Sequence, residues 1–375
     1  HIGTSARLDV AAPGVPIGTE LLGRVLDGMG NPIDGGPSID RLHRVGIDGT
    51  PPHPLKRQLV RVPQHLGVRA LDTLVPCGRG QRLGVFAGSG VGKSSLLSMI
   101  IRGTDADISV LALIGERGRE VREFIEHDLG PEGLARSVVI VATSDQPALV
   151  RLRAAFVATR IAEWFRDGGA NVNLLMDSLT RFAMAQREIG LAAGEVPATR
   201  GYPPSMFGLL PKLLERAGAD EHGSITGIYT VLVEGDDMND PVGDTARSIL
   251  DGHITLSRAL ASQGHFPTID VLDSVSRVSG AVTTPEQQRM ARELRALLAA
   301  HKEARDLIEI GAYRPGTNPT VDRAVALRDR IEAFLRQGMN ETSAPGVAWN
   351  QLAELLATDT FTAEMAGAQT GGGVL

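Results

Sequence analysis

The chain has 375 residues, 42% of them apolar and 4% aromatic, with a formal net charge of -6. Single cores stop growing at about 250–300 residues, so one large domain with smaller attachments is expected. The acidic balance argues against a general polyanion binder, whose affinity rests on clustered Lys and Arg.

The sequence begins at His1 rather than Met, and the expectation is that residues ahead of it are missing. Residues 1–57 are rich in Gly, Pro and Asp, as in Asp27-Gly28-Met29-Gly30-Asn31-Pro32, and predict an irregular lead-in of turns between short strands. From about residue 58, short β-rich runs alternate with helical stretches. Strands are predicted over 81–86, 108–114, 138–142, 172–176 and 224–233, and helices over 94–102, 119–128 and 147–166. This alternation predicts a mostly parallel sheet with helices on both faces, and ligands along the strand C-terminal edge. After Pro285 the strands stop. Residues 287–307, 321–336 and 349–356 read as amphipathic helices of a helical subdomain spanning 285–365, followed by a flexible tail over 366–375.

No apolar run approaches the roughly 20 residues of a membrane span, and no signal-peptide pattern is present. Cys77 is the single cysteine, so an internal disulfide is excluded and a reducing compartment is expected. The nine His residues are scattered without metal-ligand spacing, which removes a His-based metal hydrolase.

Ala87-Gly88-Ser89-Gly90-Val91-Gly92-Lys93-Ser94 joins the strand over 81–86 to the helix that follows. Glycines let successive N–H groups face one centre, and the helix N-terminus adds partial positive charge there. Gly88, Ser89, Gly90, Val91, Gly92, Lys93, Ser94 and Ser95 are the candidate ATP-binding residues. Lys93 would reach the β- and γ-phosphates, and Ser94 would ligate Mg²⁺. Ala87 stands where the strict pattern has Gly, a tolerated variant if its φ is negative. The run Leu174-Leu175-Met176-Asp177 ends a buried strand in a carboxylate, which makes Asp177 the second candidate at the metal.

Hydrolysis needs a group to orient water. Glu116 follows the strand over 108–114 and is the candidate base, although a Glu there also suits the first turn of a helix. Arg277 is a candidate arginine finger and, from spacing alone, equally a surface ion-pair partner.

The segment Gly115-Glu116-Arg117-Gly118-Arg119-Glu120-Val121-Arg122-Glu123-Phe124 is similar to the catalytic-glutamate segment of type III secretion ATPases. Gly201-Tyr202-Pro203-Pro204-Ser205-Met206-Phe207, Glu234-Gly235-Asp236-Asp237, Leu250-Asp251-Gly252-His253-Ile254 and Pro267-Thr268-Ile269-Asp270 are similar as well. The resemblance covers about residues 21–336 and implies a RecA-like P-loop NTPase core over 58–284, with Mg²⁺-dependent ATP hydrolysis in a homohexameric ring. It implies that Arg117 and Arg181 lie near the phosphates, that Arg277 reaches in from the next subunit, and that Phe266 stacks on adenine where relatives have Tyr. From the sequence alone Phe266 could equally be a core aromatic. Set against the family pattern, the N-terminal β-barrel is expected to be absent or truncated in this sequence.

Asn239-Asp240-Pro241-Val242-Gly243-Asp244-Thr245-Ala246-Arg247 looks more like the flagellar branch than the virulence injectisome branch. The resemblance then implies protein export, with export-apparatus proteins, a stator or regulatory subunit and export chaperones as partners. It also implies a cytoplasmic position, peripheral to the inner membrane at the export gate. A nucleotide-gated docking scaffold is the rival, and Glu116 speaks against it. A hexameric helicase is a third reading, opposed by the lack of a basic or aromatic strand-binding stretch.

Overall fold

The computed structural model describes residues 14–233 and 240–357. Nine strands form one sheet: β1 (Val25–Asp27), β2 (Arg82–Ala87), β3 (Ile108–Ile114), β4 (Ser137–Ala142), β5 (Asn171–Asp177), β6 (Gly218–Ala219), β7 (Ser224–Leu232), β8 (Gly252–Leu256) and β9 (Ile269–Ser276). Their order is β9-β8-β2-β7-β5-β3-β4-β1, with β6 paired to β7. All neighbours run parallel except β8 with β9 and β6 with β7.

Side-chain alternation divides the core in two. Leu111, Leu113, Val139 and Val141 face one apolar cluster, and Val110, Ala112, Val138 and Ile140 face the other. A strand covered on both faces reads as the continuous apolar run seen at β3 and β4. The first cluster is covered by α1 (Arg69–Leu74), α2 (Lys93–Gly103) and the C-terminal helices. The second is covered by α3 (Ala148–Asp167), α4 (Leu179–Ala192), α5 (Pro204–Leu214) and α6 (Pro241–Ile249). In α3, Ala154, Ala155, Ala158, Ile161, Ala162 and Phe165 are buried, the stripe that a 3.6-residue period lays on one face.

The C-terminal helices are α7 (Pro285–Glu309), α8 (Pro319–Ala326), α9 (Arg328–Leu335) and α10 (Val347–Ala357). Proline opens α5, α6, α7 and α8, where its missing N–H costs nothing. At α7, Thr284 Oγ1 accepts from Gln287 N at 3.2 Å while Gln287 Oε1 accepts from Thr284 N at 2.9 Å. That reciprocal cap satisfies two orphan donors.

Three expectations change. The lead-in over 1–57 is not apart from the sheet, because β1 pairs in parallel with β4 and closes one edge. The opposite edge is an antiparallel pair, β8 and β9, absent from the expected strands. The helix expected over 321–336 is two, separated at Leu327. Glu234-Gly235-Asp236-Asp237, Asn239 and the tail over 366–375 lie outside the described residues.

Candidate active site

Strand β2 delivers the glycine-rich loop directly onto α2. Ala87 is the last residue of β2, paired with Leu232, and among the described residues only Arg200 combines a side chain with a positive φ. The condition on Ala87 is therefore met. Gly90 and Gly92 adopt φ of 75° and 93°, the left-handed region that bends the loop back over the helix start. Val91 is buried, and its carbonyl accepts from Thr268 Oγ1 at 2.5 Å. The loop is thereby tied to the residue preceding β9. Ser89, Gly90 and Ser94 are exposed, so the inner face of the turn is open.

Three parallel strands bring the charged groups to the same edge. Lys93 Nζ donates to Asp177 Oδ1 at 2.6 Å and lies 3.4 Å from Glu116 Oε1. Burial alone would lower the Lys93 pKa, but the charges of Asp177 and Glu116 outweigh it and the net shift is upward. Glu116 is pushed up, first by burial and further by the Asp177 charge, against the lowering effect of Lys93. A carboxyl raised in this way sits closer to working pH, which suits a proton acceptor.

Glu116 is fixed through its neighbours. Gly115 N donates to Ala142 O at 2.7 Å, and Ser144 N donates to Glu116 O at 3.0 Å. Gly115 has φ of 70°, and a Cβ there would lie 2.9 Å from Arg181 Cβ, so only glycine lets the chain turn past α4. Arg181 is consequently packed against Gly115, and its Nε is buried with no hydrogen-bond partner. Ser178 caps α4, its Oγ accepting from Arg181 N at 3.3 Å.

Phe266 is about half exposed, and its ring edge lies 3.8 Å from where a Gly92 Cβ would be. It borders the loop and is not a core aromatic. Arg117 is exposed and pairs with Glu120 at 3.1 Å. Arg277 is at the opposite edge. Ser276 pairs with Gly252, and His253 with Gly84, so Arg277 is level with the start of β2 while the loop leaves its end. At about 3.3 Å per residue that offset is roughly 16 Å, more than an arginine side chain spans. There Arg277 Nη2 donates to Arg247 O at 3.2 Å.

Thr230 was not among the expected residues. It is fully buried on β7, and its Oγ1 donates to the same Asp177 Oδ1 at 2.7 Å. The pairing of Tyr229 with Met176 puts the two residues level across the ladder.

The nucleotide-binding domain of the ATP synthase alpha/beta family matches residues 67–276, a span that contains every residue of this cluster. The chain belongs to that family. The T3SS EscN ATPase C-terminal domain matches residues 283–354, which places the chain among the type III secretion ATPases. A flagellum-specific ATP synthase of Bacillus subtilis is 56% identical over 327 residues, covering 87% of this chain and 75% of that protein. The assembled ATPase EscN from the type III secretion system of enteropathogenic E. coli superposes with a TM-score of 0.88 at 51% identity, over 91% of this chain and 83% of that one. EscN in complex with its central stalk EscO gives 0.86 at 50% identity, over 91% and 83%. As a member of this family the chain is a RecA-like ATPase that binds and hydrolyses ATP.

Proposed function

We propose that the chain hydrolyses Mg²⁺-ATP to energise protein export by a flagellar type III apparatus. The observation that carries the chemistry is the convergence of Lys93, Glu116 and Asp177 at the mouth of the glycine-rich loop. The loop from Gly88 to Gly92, with Ser94 and Ser95, cradles the triphosphate through backbone N–H groups and hydroxyls. Lys93 exchanges Asp177 for the β- and γ-phosphates. Glu116 accepts a proton from the attacking water, and Arg181, packed against Gly115 next in sequence, brings a guanidinium to the same strand edge. Phe266 offers its exposed ring to adenine.

The oxygen donors Ser94 and Asp177 suit a hard cation. Among the described residues no group of three His, Cys, Asp or Glu side chains could hold an ion. That combination fits Mg²⁺, which draws most of its ligands from phosphate and water. Such an ion would neutralise charge developing on the β- and γ-phosphates.

Arg277 lies too far from its own loop to act there, which supports a ring in which it completes the neighbour's site. The same arrangement supports a homohexamer. Arg117 points to Glu120, so a phosphate contact from it requires a changed rotamer on nucleotide binding. The flagellar assignment is favoured by 56% identity to a flagellar relative against 53% to a type 3 secretion system ATPase of Xanthomonas euvesicatoria. Partners of the export-apparatus, stator, stalk and chaperone classes follow from that reading, as does a position on the cytoplasmic side of the inner membrane. No helix among the described residues is long and apolar enough to cross a membrane.

Cross-complementation tests the assignment. The chain should restore swimming to a Bacillus subtilis strain lacking its flagellar ATPase, while leaving effector secretion unrestored in an injectisome ATPase mutant. The reverse pattern would move it to the injectisome branch.

A further inference from the structure

We propose that Gln337 is a positioning residue that locks the helical subdomain to both the adenine platform and the distal end of the phosphate-loop helix. The inference rests on the reading of Phe266 as that platform.

Gln337 follows Arg336, the residue that caps the C-terminus of α9, and is 4% exposed. Its backbone N–H donates to Phe266 O at 2.9 Å. Its amide is saturated across the junction: Oε1 accepts from Arg69 N at 2.8 Å, and Nε2 donates to Gly67 O at 2.8 Å and to Glu341 O at 2.7 Å. One side chain thus joins α1, the loop before it and the 337–341 turn, while its backbone holds Phe266.

Gly67 relays this to α2. Its carbonyl accepts from both Gln337 Nε2 and Ser343 N, the latter at 3.1 Å. Its φ is 73°, and a Cβ there would lie 2.4 Å from Gly103 Cα at the last residue of α2. The backbones are in direct contact, and no side chain fits between them. The preceding residue of α2 is tied to the same turn, with Arg102 donating to Asn340 Oδ1 and to Met339 O at 2.8 Å each. Helix α2 therefore has its N-terminus at the phosphates and its C-terminus against the 337–343 turn. Phe266, across the loop at Gly92, hangs from the same residue. A movement of the helical subdomain that displaces Gln337 must shift the adenine platform and α2 together.

Because the amide is fully bonded in a buried junction, removing its donors strands Glu341 O, leaves Gly67 O with Ser343 N alone and loosens both attachments. The consequence is expected in nucleotide affinity. A merely structural role would instead lower the folded fraction, and with it kcat, leaving KM unchanged.

Gln337→Met and Gln337→Glu are to be compared with Phe266→Ala in the full chain, measuring KM and kcat for Mg²⁺-ATP and binding of a fluorescent ADP analogue. Gln337→Met keeps the volume and the backbone bond to Phe266 but loses the amide, and should raise KM and the analogue Kd about five- to tenfold with kcat within twofold. Gln337→Glu keeps the acceptor for Arg69 N, loses both Nε2 donors and should fall at or beyond the Met variant. If Phe266→Ala raises KM while both Gln337 variants keep wild-type KM and Kd, the Gln337 proposal is overturned and the platform stands. If Phe266→Ala itself leaves KM and Kd unchanged, the platform reading fails. A Gln337 variant too unstable to assay passes the test to Arg102→Ala, which should raise KM about threefold. Wild-type KM in that variant would overturn the proposal.

Discussion

The Lys93 ammonium lies 2.6 Å from Asp177 Oδ1, so the cation of the phosphate loop and the carboxylate closing β5 neutralise one another in a largely buried site. Glu116, at 3.4 Å, is the third member of the cluster. Lys93→Met should abolish hydrolysis and also weaken the nucleotide-free protein. Removing one partner of a buried pair costs about 3–5 kcal/mol because the other charge is left uncompensated. Glu116 is already raised by burial, and losing Lys93 raises it further. A group raised in the folded state favours folding below its unfolded value and loses that benefit as pH climbs through the folded one. The melting-temperature gap between wild type and Lys93→Met should therefore narrow towards about pH 4 and widen above it. A gap independent of pH would contradict the cluster.

Glu116→Gln keeps the size of the side chain and removes the proton acceptor. It should lower kcat about 10²- to 10⁴-fold while a fluorescent ATP analogue binds within about threefold of wild type. In the wild type, the acid limb of kcat/KM should lie above the ordinary glutamate value of 4.5, since burial raises Glu116. Activity is lost as pH falls through that raised value. Unchanged turnover in the variant removes Glu116 from the base role.

Arg277 and Lys93 can be separated by mixing. Each of Arg277→Ala and Lys93→Met should be inactive alone, the former by about 10³- to 10⁵-fold. Co-assembled, they create interfaces where one subunit supplies Lys93 and the other Arg277, so phosphate release should reappear and peak near equal proportions. Mixtures as inactive as their components would show that Arg277 does not act across subunits.

Asp72 gives a second pH dependence, remote from the chemistry. Burial pushes it up to about 7, against the lowering effect of bonds from Leu66 N and Gly67 N. Its contribution is fully present below the ordinary value of 3.8 and is lost as pH rises through about 7. Asp72→Asn should flatten the fall in melting temperature across that window. Equal slopes in the two proteins would contradict it.

Much of the site was legible because the elements that build it are local. The loop from Ala87 to Ser94 has its own spacing, and β3 and β5 are apolar runs whose ends give Glu116 and Asp177 directly. What escaped depends on pairing between distant segments. Three residues of β1 among glycines and prolines carry no period, and only their match to β4 makes them a strand. Strand β8 alternates over only five residues, and its pairing with β9 is interrupted by a register shift between His253 and Thr255. Thr230 is one of four hydroxyl residues on β7, with Ser224, Thr226 and Tyr229, and its meaning comes from standing level with Asp177. Gln337 looked like a residue past a helix end, and its partners at positions 67, 69 and 266 are set by the fold. The distant position of Arg277 follows likewise from the antiparallel course of β9, which its flanking sequence does not disclose.

The most direct test is a crystal structure of the chain with Mg²⁺ and a non-hydrolysable ATP analogue. Lys93 Nζ should leave Asp177 Oδ1, opening the contact well beyond 2.6 Å, and bond to the β- or γ-phosphate while Thr230 still holds Asp177 and Glu116 faces the terminal phosphate. An analogue bound elsewhere with the Lys93–Asp177 contact intact, or Glu116 turned away from the terminal phosphate, would contradict the account.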